Sequence, residues 1–228
     1  MPSQALQTLV DVLGEVPLLA QSTASPLRRP RANALEVARV VGRAQVMLLS
    51  SHFERYVYSA NEEGVTYLNQ ARTPSERIPE RLRLLHSAQV IDVLGGSQWE
   101  HRADALTRFV ASDGWLWRAA SAGDLAHDRL LTWMKAPNSK NLLRYYKMWG
   151  IDDVFSAMTR SQAARGRLFL RVQELVDRRN DIAHGDYTAQ ATRLDVVRYL
   201  GTVRIFCTRA DRILGKALGK MANAQVPW

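Results

Sequence analysis

The segment "LVDRRNDIAHGDYT", residues 175–188, places an arginine, an amide and a histidine close together. Leu168, Val172, Leu175, Arg179 and Ile182 follow at spacings of 4, 3, 4 and 3, which is one stripe of a helix. The spacing therefore sets Arg179 among apolar residues on a packed face, where an unpartnered charge is costly. Asn180 and His184 are four residues apart and share the neighbouring ridge. Gly185 follows, the residue type favoured just past a helix end, where the helix dipole also favours a cation. A fixed cation, a polar positioning group and a titrating imidazole thus converge on one helix end. Those parts can cleave a phosphodiester without a metal. A base takes the proton of a ribose 2′-hydroxyl, a cation stabilises charge growing on the phosphoryl oxygens, and an acid protonates the leaving oxygen. The same residues also fit a plainer arrangement, with Arg179 a buried ion-pair partner and His184 a helix cap.

The elements that must position these groups read as helices throughout. Residues 3–20 have Leu6, Leu9, Val10 and Leu13 at helical spacing and predict one amphipathic helix. "QSTASPLRRPRAN" reads as a connector. A long helix opens near Ala34 and continues through "SSHFERYVYSA", with a second helical stretch over "EEGVTYLNQ". Another is expected after Ser75, ending at Gly95 and Gly96, and one more over 97–112. Residues 112–140 read as loops around a short helix, and "NLLRYYKMWGIDDVF" as a helix ending at Gly150. Long helices are predicted over 160–184 and, capped by Thr192, over 193–216. Strict alternation is missing, as are a repeat, a GxGxxG and a P-loop. The fold class is all-α, divided into an N-terminal helix and connector (1–30), a helical domain (31–218) and a flexible tail (219–228).

Composition bounds the partners. The 228 residues hold 31 Lys plus Arg against 22 Asp plus Glu, a net charge of +9. That excess favours polyanions, nucleic acid before an anionic membrane, although a basic surface can also serve solubility. The cations are mostly arginine, suited to bidentate phosphate contacts. Cys207 is the only cysteine, which precludes an intramolecular disulfide, argues against a thiolate metal centre and fits a reducing cytoplasm. Residues 1–20 lack the pattern of a signal peptide, and no apolar run approaches membrane-spanning length. His86, His101 and His127 lack metal-ligand spacing, so neither metal nor cofactor is expected.

Three blocks carry a family resemblance. "RRNDIAHG" (178–185) resembles the Arg-x4–6-His signature of the HEPN superfamily, including a polar residue directly after the arginine. "VMLLSSHFERYVYSANEE" (46–63) and "NLLRYYKMWGIDDVF" (141–155) resemble the early helix and the pre-signature segment of its RiboL-PSP-HEPN branch. The blocks occur in order over most of residues 35–215. The resemblance implies a helical bundle that dimerises, and often a metal-independent endoribonuclease of toxin–antitoxin, phage-defence and related conflict systems. In such proteins two signatures meet across the dimer interface as one composite site. Carried onto this chain, Arg179 and His184 are the essential pair, Asn180 supports them, and a two-fold dimer brings both copies together. RNA and a second copy are the expected partners, with an antitoxin or defence protein beside them.

Further candidates surround this set. Glu54 is placed to orient Arg179 through a bidentate pair, or else to pair with Arg55. His52 is a weaker candidate on the same helix. Arg178 is set to contact RNA phosphates or to pair with Glu174. Asp181 and Asp186 flank His184, and Tyr187 is a candidate base-stacking platform or a packing residue of the loop. Trp115, Trp117, Trp133 and Trp149, with Arg118, Arg144 and Lys147 nearby, suit either single-stranded RNA or core filling. Two other functions compete with the nuclease: a catalytically silent RNA-binding or protein-interaction module, and a sequence-nonspecific DNA binder, for which no clear helix-turn-helix is present.

Overall fold

Ser3 opens the first helix by accepting a hydrogen bond from the Leu6 N–H, and α1 runs Gln4–Val12. A single helix over 3–20 does not form. The chain turns at Leu13 and Gly14 and restarts as α2, Glu15–Thr23. Pro17 is the physical cause, because within a continuous helix its ring would collide with the Leu13 carbonyl, whereas in the first turn of α2 its missing N–H is harmless. The computed structural model describes residues 1–23 and 33–228. The connector expected over 21–33 therefore falls mostly outside the described residues, and Gln21 to Thr23 belong to α2.

The two helical stretches expected after Ala34 are one, α3, Ala34–Gln70. Gly64 does not break it, because Trp149 packs against the bare backbone there. α4 (Glu80–Gly96) and α5 (Arg102–Asp113) form a hairpin, and the short α6 (His127–Leu130) sits within the irregular middle. α7 (Ser139–Met148) is followed by a short helix that periodicity did not reveal, α8 (Val154–Met158), capped by Asp153. α9 (Gln162–Ala183) carries the signature. α10 (Arg193–Ala222) starts on a full capping box between Thr192 and Asp195, and outruns its expected end at 216. Among the described residues there are ten α-helices and no strand.

Helices α3 and α10 form the central pair. Their contacts rise together along both chains, from Gly42 at the Ala191 carbonyl, through Tyr56 donating to the Cys207 carbonyl, to Gly64 against Leu218, so the two helices are parallel. Phe53 meets Phe206 edge-on at 5.7 Å between ring centroids, and Tyr145 and Tyr146 of α7, with Trp149 just past its end, complete an aromatic core. α1 and α2 pack on α3, so the N-terminal segment is built into this body. The tail, expected to be loose, is docked. Asn223 takes the left-handed cap, Tyr67 donates to the Gln225 carbonyl at 2.6 Å, and Trp228 donates its indole N–H to the Asp211 carbonyl at 3.1 Å. The Asp211 carboxylate, buried, accepts from the backbone and hydroxyl of Ser3, so both chain ends meet on one turn of α10. No helix is long and apolar enough to cross a membrane among the described residues.

Candidate active site

The stripe read from α9 is a packing face. Val172 and Leu175 are fully buried and Leu168 and Ile182 nearly so. Arg179 interrupts that stripe without entering the dry core, because its side chain keeps 31% of its exposure. One nitrogen lies 3.9 Å from the Glu54 carboxylate of α3, itself 30% exposed, and another donates to the Asn180 side-chain oxygen at 3.1 Å. Glu54, Arg179 and Asn180 thus form a chain of contacts reaching the surface. A pair this accessible holds a side chain in place more than it stabilises the fold.

The helix ends just past Ala183 in a complete Schellman arrangement. The Gly185 N–H bonds the Ile182 carbonyl at 3.2 Å, and the Asp186 N–H bonds the Asp181 carbonyl at 3.0 Å. Gly185 has φ +85°, a conformation that favours glycine. His184 is the cap residue, its backbone N–H bonded to the Asn180 carbonyl at 2.9 Å and its side chain exposed. Its ring makes no hydrogen bond or ion pair among the described residues. Within one chain, then, Arg179 is held and His184 is presented free.

The flanking residues sort themselves. The Asp186 carboxylate accepts the Thr188 hydroxyl and N–H, both at 2.7 Å, and these bonds hold it below the usual carboxylate range; it engages Thr188 and not His184. Asp181 is exposed. Arg178 forms no ion pair with Glu174, which accepts the Tyr199 hydroxyl at 2.7 Å; Arg178 lies beside that hydroxyl on the α10 side. His52 turns away from the signature, 3.4 Å from Glu15 on α2. Tyr187 is 88% exposed and so not packed into its loop. Trp149 is core, Trp133 is partly buried against the core with Arg144 over its ring, and Trp117 is exposed beside Arg83. No group of three or more His, Cys, Asp or Glu side chains is arranged to hold a metal among the described residues.

Sequence reasoning missed two residues that shape the site. Arg43 of α3 donates to the carbonyls of Asp186 at 2.6 Å and Ala189 at 3.3 Å, pinning the loop that follows His184. Its guanidinium lies 6.0 Å from the centre of the Tyr187 ring. The available signal was periodicity, since Arg43 and Glu54 are eleven residues apart and so share a helix face. Gly42 permits the same approach. A side chain there would drive into the Ala191 carbonyl oxygen, well inside van der Waals contact. Gly42→Ala is accordingly expected to displace the post-signature loop and to cost about 1–3 kcal/mol, the usual range for overpacking. Urea unfolding followed by circular dichroism checks this. An unchanged midpoint would show that the loop's seat does not matter.

Comparison with known families matches the chain to RiboL-PSP-HEPN over residues 24–216, most of its length. The chain belongs to the RiboL-PSP-HEPN family. Its members are predicted ribonucleases, and all three blocks that resembled this branch lie inside the matched HEPN region. No curated protein and no solved structure matched.

Proposed function

We propose that this HEPN protein is a metal-independent endoribonuclease acting as a homodimer. The observation that supports it best is the end of α9, where Glu54 and Asn180 hold a partly exposed Arg179 and the helix cap presents to solvent a His184 with no partner among the described residues. In this reading the ribose 2′-oxygen attacks the adjacent phosphorus, its proton passing to a base. The bond from phosphorus to the 5′-oxygen breaks, and that oxygen receives a proton from an acid. The products are a 2′,3′-cyclic phosphate and a 5′-hydroxyl. Arg179 stabilises the charge on the non-bridging oxygens, and the His184 rings of two copies serve as base and acid.

A partner surface beside the site favours the second copy. Leu35 and Val40 on α3, and Leu194 and Val197 on α10, are all strongly exposed on the first turns of the helices that flank the loop after His184. A two-fold axis there would bring both signatures into one cleft. The biological setting we propose is a toxin–antitoxin or phage-defence system, with a neutralising or triggering partner protein.

The chemistry is tested with a single-stranded RNA carrying one 2′-deoxy ribose at the preferred cleavage position, in the presence of a chelator. Cleavage is expected to vanish at that position alone and to persist elsewhere, leaving cyclic-phosphate ends. Cutting at the deoxy position, or 3′-hydroxyl products, would rule out the 2′-hydroxyl route. Binding without any cleavage would leave the silent RNA-binding module as the function.

A further inference from the structure

One accessible strip of α3 carries Arg43, Met47, Ser51, Glu54 and Tyr58 at spacings of 4, 4, 3 and 4. Three distant parts of the chain converge on it. Arg43 holds the loop of Asp186 and Ala189, Glu54 meets Arg179, and the Tyr58 hydroxyl donates to the Met134 carbonyl at 3.1 Å. Burial, and then the nearby Glu54 charge, push the Tyr58 hydroxyl above its ordinary pKa, in keeping with their one-turn spacing. Next to Met134 stands a second aromatic group. The Trp133 indole is fixed by donating to the Leu130 carbonyl at 2.8 Å, and the Arg144 guanidinium lies over its ring at 4.1 Å. Arg144 is exposed and has no carboxylate partner among the described residues, and Lys135 and Lys140 are exposed nearby in sequence.

We propose that this strip is the floor of a track for single-stranded RNA, with base-stacking subsites at both ends: Tyr187 beside Arg43, and the Arg144–Trp133 stack beyond Tyr58. The substrate class rests on the ribonuclease reading above. Aromatic rings and arginine planes are what unpaired bases stack on, and cations between them follow the backbone. An arginine held over an indole is positioned to offer its other side to a base. The fifteen helical steps from Arg43 to Tyr58 rise about 22 Å, which at roughly 3.4 Å per stacked nucleotide covers about six nucleotides or fewer. The Glu54–Arg179 pair lies between the two ends, so the scissile phosphate would sit inside the track. A duplex cannot present its bases to two platforms set on one strip.

Affinity, read by fluorescence anisotropy, tests this apart from catalysis. The probes are a fluorescein-labelled 2′-fluoro 12-mer and a 3-mer, both single-stranded and resistant to 2′-hydroxyl chemistry, used with the full chain. Arg144→Ala is expected to weaken the 12-mer about tenfold and leave the 3-mer unchanged, whereas Tyr187→Ala weakens both. Arg144→Lys is expected to recover little of the loss, because lysine keeps the charge without the plane. Unchanged 12-mer affinity in Arg144→Ala overturns the distal subsite, as does an equal loss on both probes or full rescue by lysine. A wild-type chain that binds neither probe overturns it too. A chain that shows the expected binding pattern yet cuts no RNA retains the track and loses the nuclease.

Discussion

Purified His184→Ala protein is expected to cut single-stranded RNA at least about a hundredfold more slowly than wild type, with its helical content and thermal midpoint unchanged. The two halves of that expectation come from one geometry. His184 contributes its backbone to the cap of α9, and alanine supplies the same N–H to the Asn180 carbonyl. Its ring is exposed and has no hydrogen-bond or ion-pair partner among the described residues, so truncation falls in the class of surface changes worth within about ±0.5 kcal/mol. A stability change therefore cannot account for the lost rate. Arg179→Ala should lose about as much rate, since a preorganised cation at a developing charge is worth about 10²–10³-fold. It also frees Glu54 to repel phosphate. Wild-type cleavage by purified His184→Ala protein would remove the imidazole from the mechanism and, with it, the reason for reading this helix end as catalytic.

How far the site was legible follows from the range of each contact. Arg179, Asn180 and His184 lie on one helix, and the helical period places them without knowledge of the fold; the burial of Leu168, Val172, Leu175 and Ile182 agrees with the stripe that defined them. Glu54 is 125 residues from Arg179 and entered through the family resemblance, which supplied the neighbourhood that spacing does not encode. Arg43 bonds a carbonyl 143 residues away; the helical period sets it on the Glu54 face, but it does not name the distant carbonyl that the side chain meets. The same logic covers the elements. The long helices showed themselves through apolar periodicity. The break at Gly14 was hidden because apolar spacing runs through it, although Pro17 carried the signal. α8 is too short for a period. The tail is seated by the Trp228 bond to Asp211 and the Tyr67 bond to Gln225, contacts that terminal composition does not announce.

Replacing Asp113 should be strongly destabilising although it lies away from the site. Asp113 ends α5 with no exposed surface, and its carboxylate collects three donors: Arg129 at 2.9 Å, the Ser87 hydroxyl at 2.7 Å and His86 Nδ1 at 3.0 Å. His86 Nε2 accepts from the Ala126 N–H at 2.9 Å, which assigns the ring proton to Nδ1 and leaves the ring neutral. One carboxylate thus ties α4, α5, α6 and the loop before α6. Asp113→Ala strands all three donors, two of them on buried residues, and breaking a buried pair this way costs about 3–5 kcal/mol. Partial exposure of Arg129, at 31%, lets it turn to water and favours the lower end. Urea unfolding followed by circular dichroism measures the loss, and a midpoint within error of wild type would show that the node contributes nothing. Acid should weaken the same node in two stages. Burial, outweighing the favourable Asp113 contacts, holds His86 below its ordinary 6.5, so the unfolded chain binds the proton more readily and stability falls as pH drops below that value. For Asp113 burial pulls upward, but the favourable influence of the Ser112 and Ser87 hydroxyls and the His86 imidazole prevails and holds it below its ordinary 3.8; its contribution is present above that value and is lost as pH falls through the depressed one. His86→Gln should therefore flatten the decline that sets in below pH 6.5 while leaving the more acidic stage, and an unaltered pH profile in that variant would separate the node from acid sensitivity.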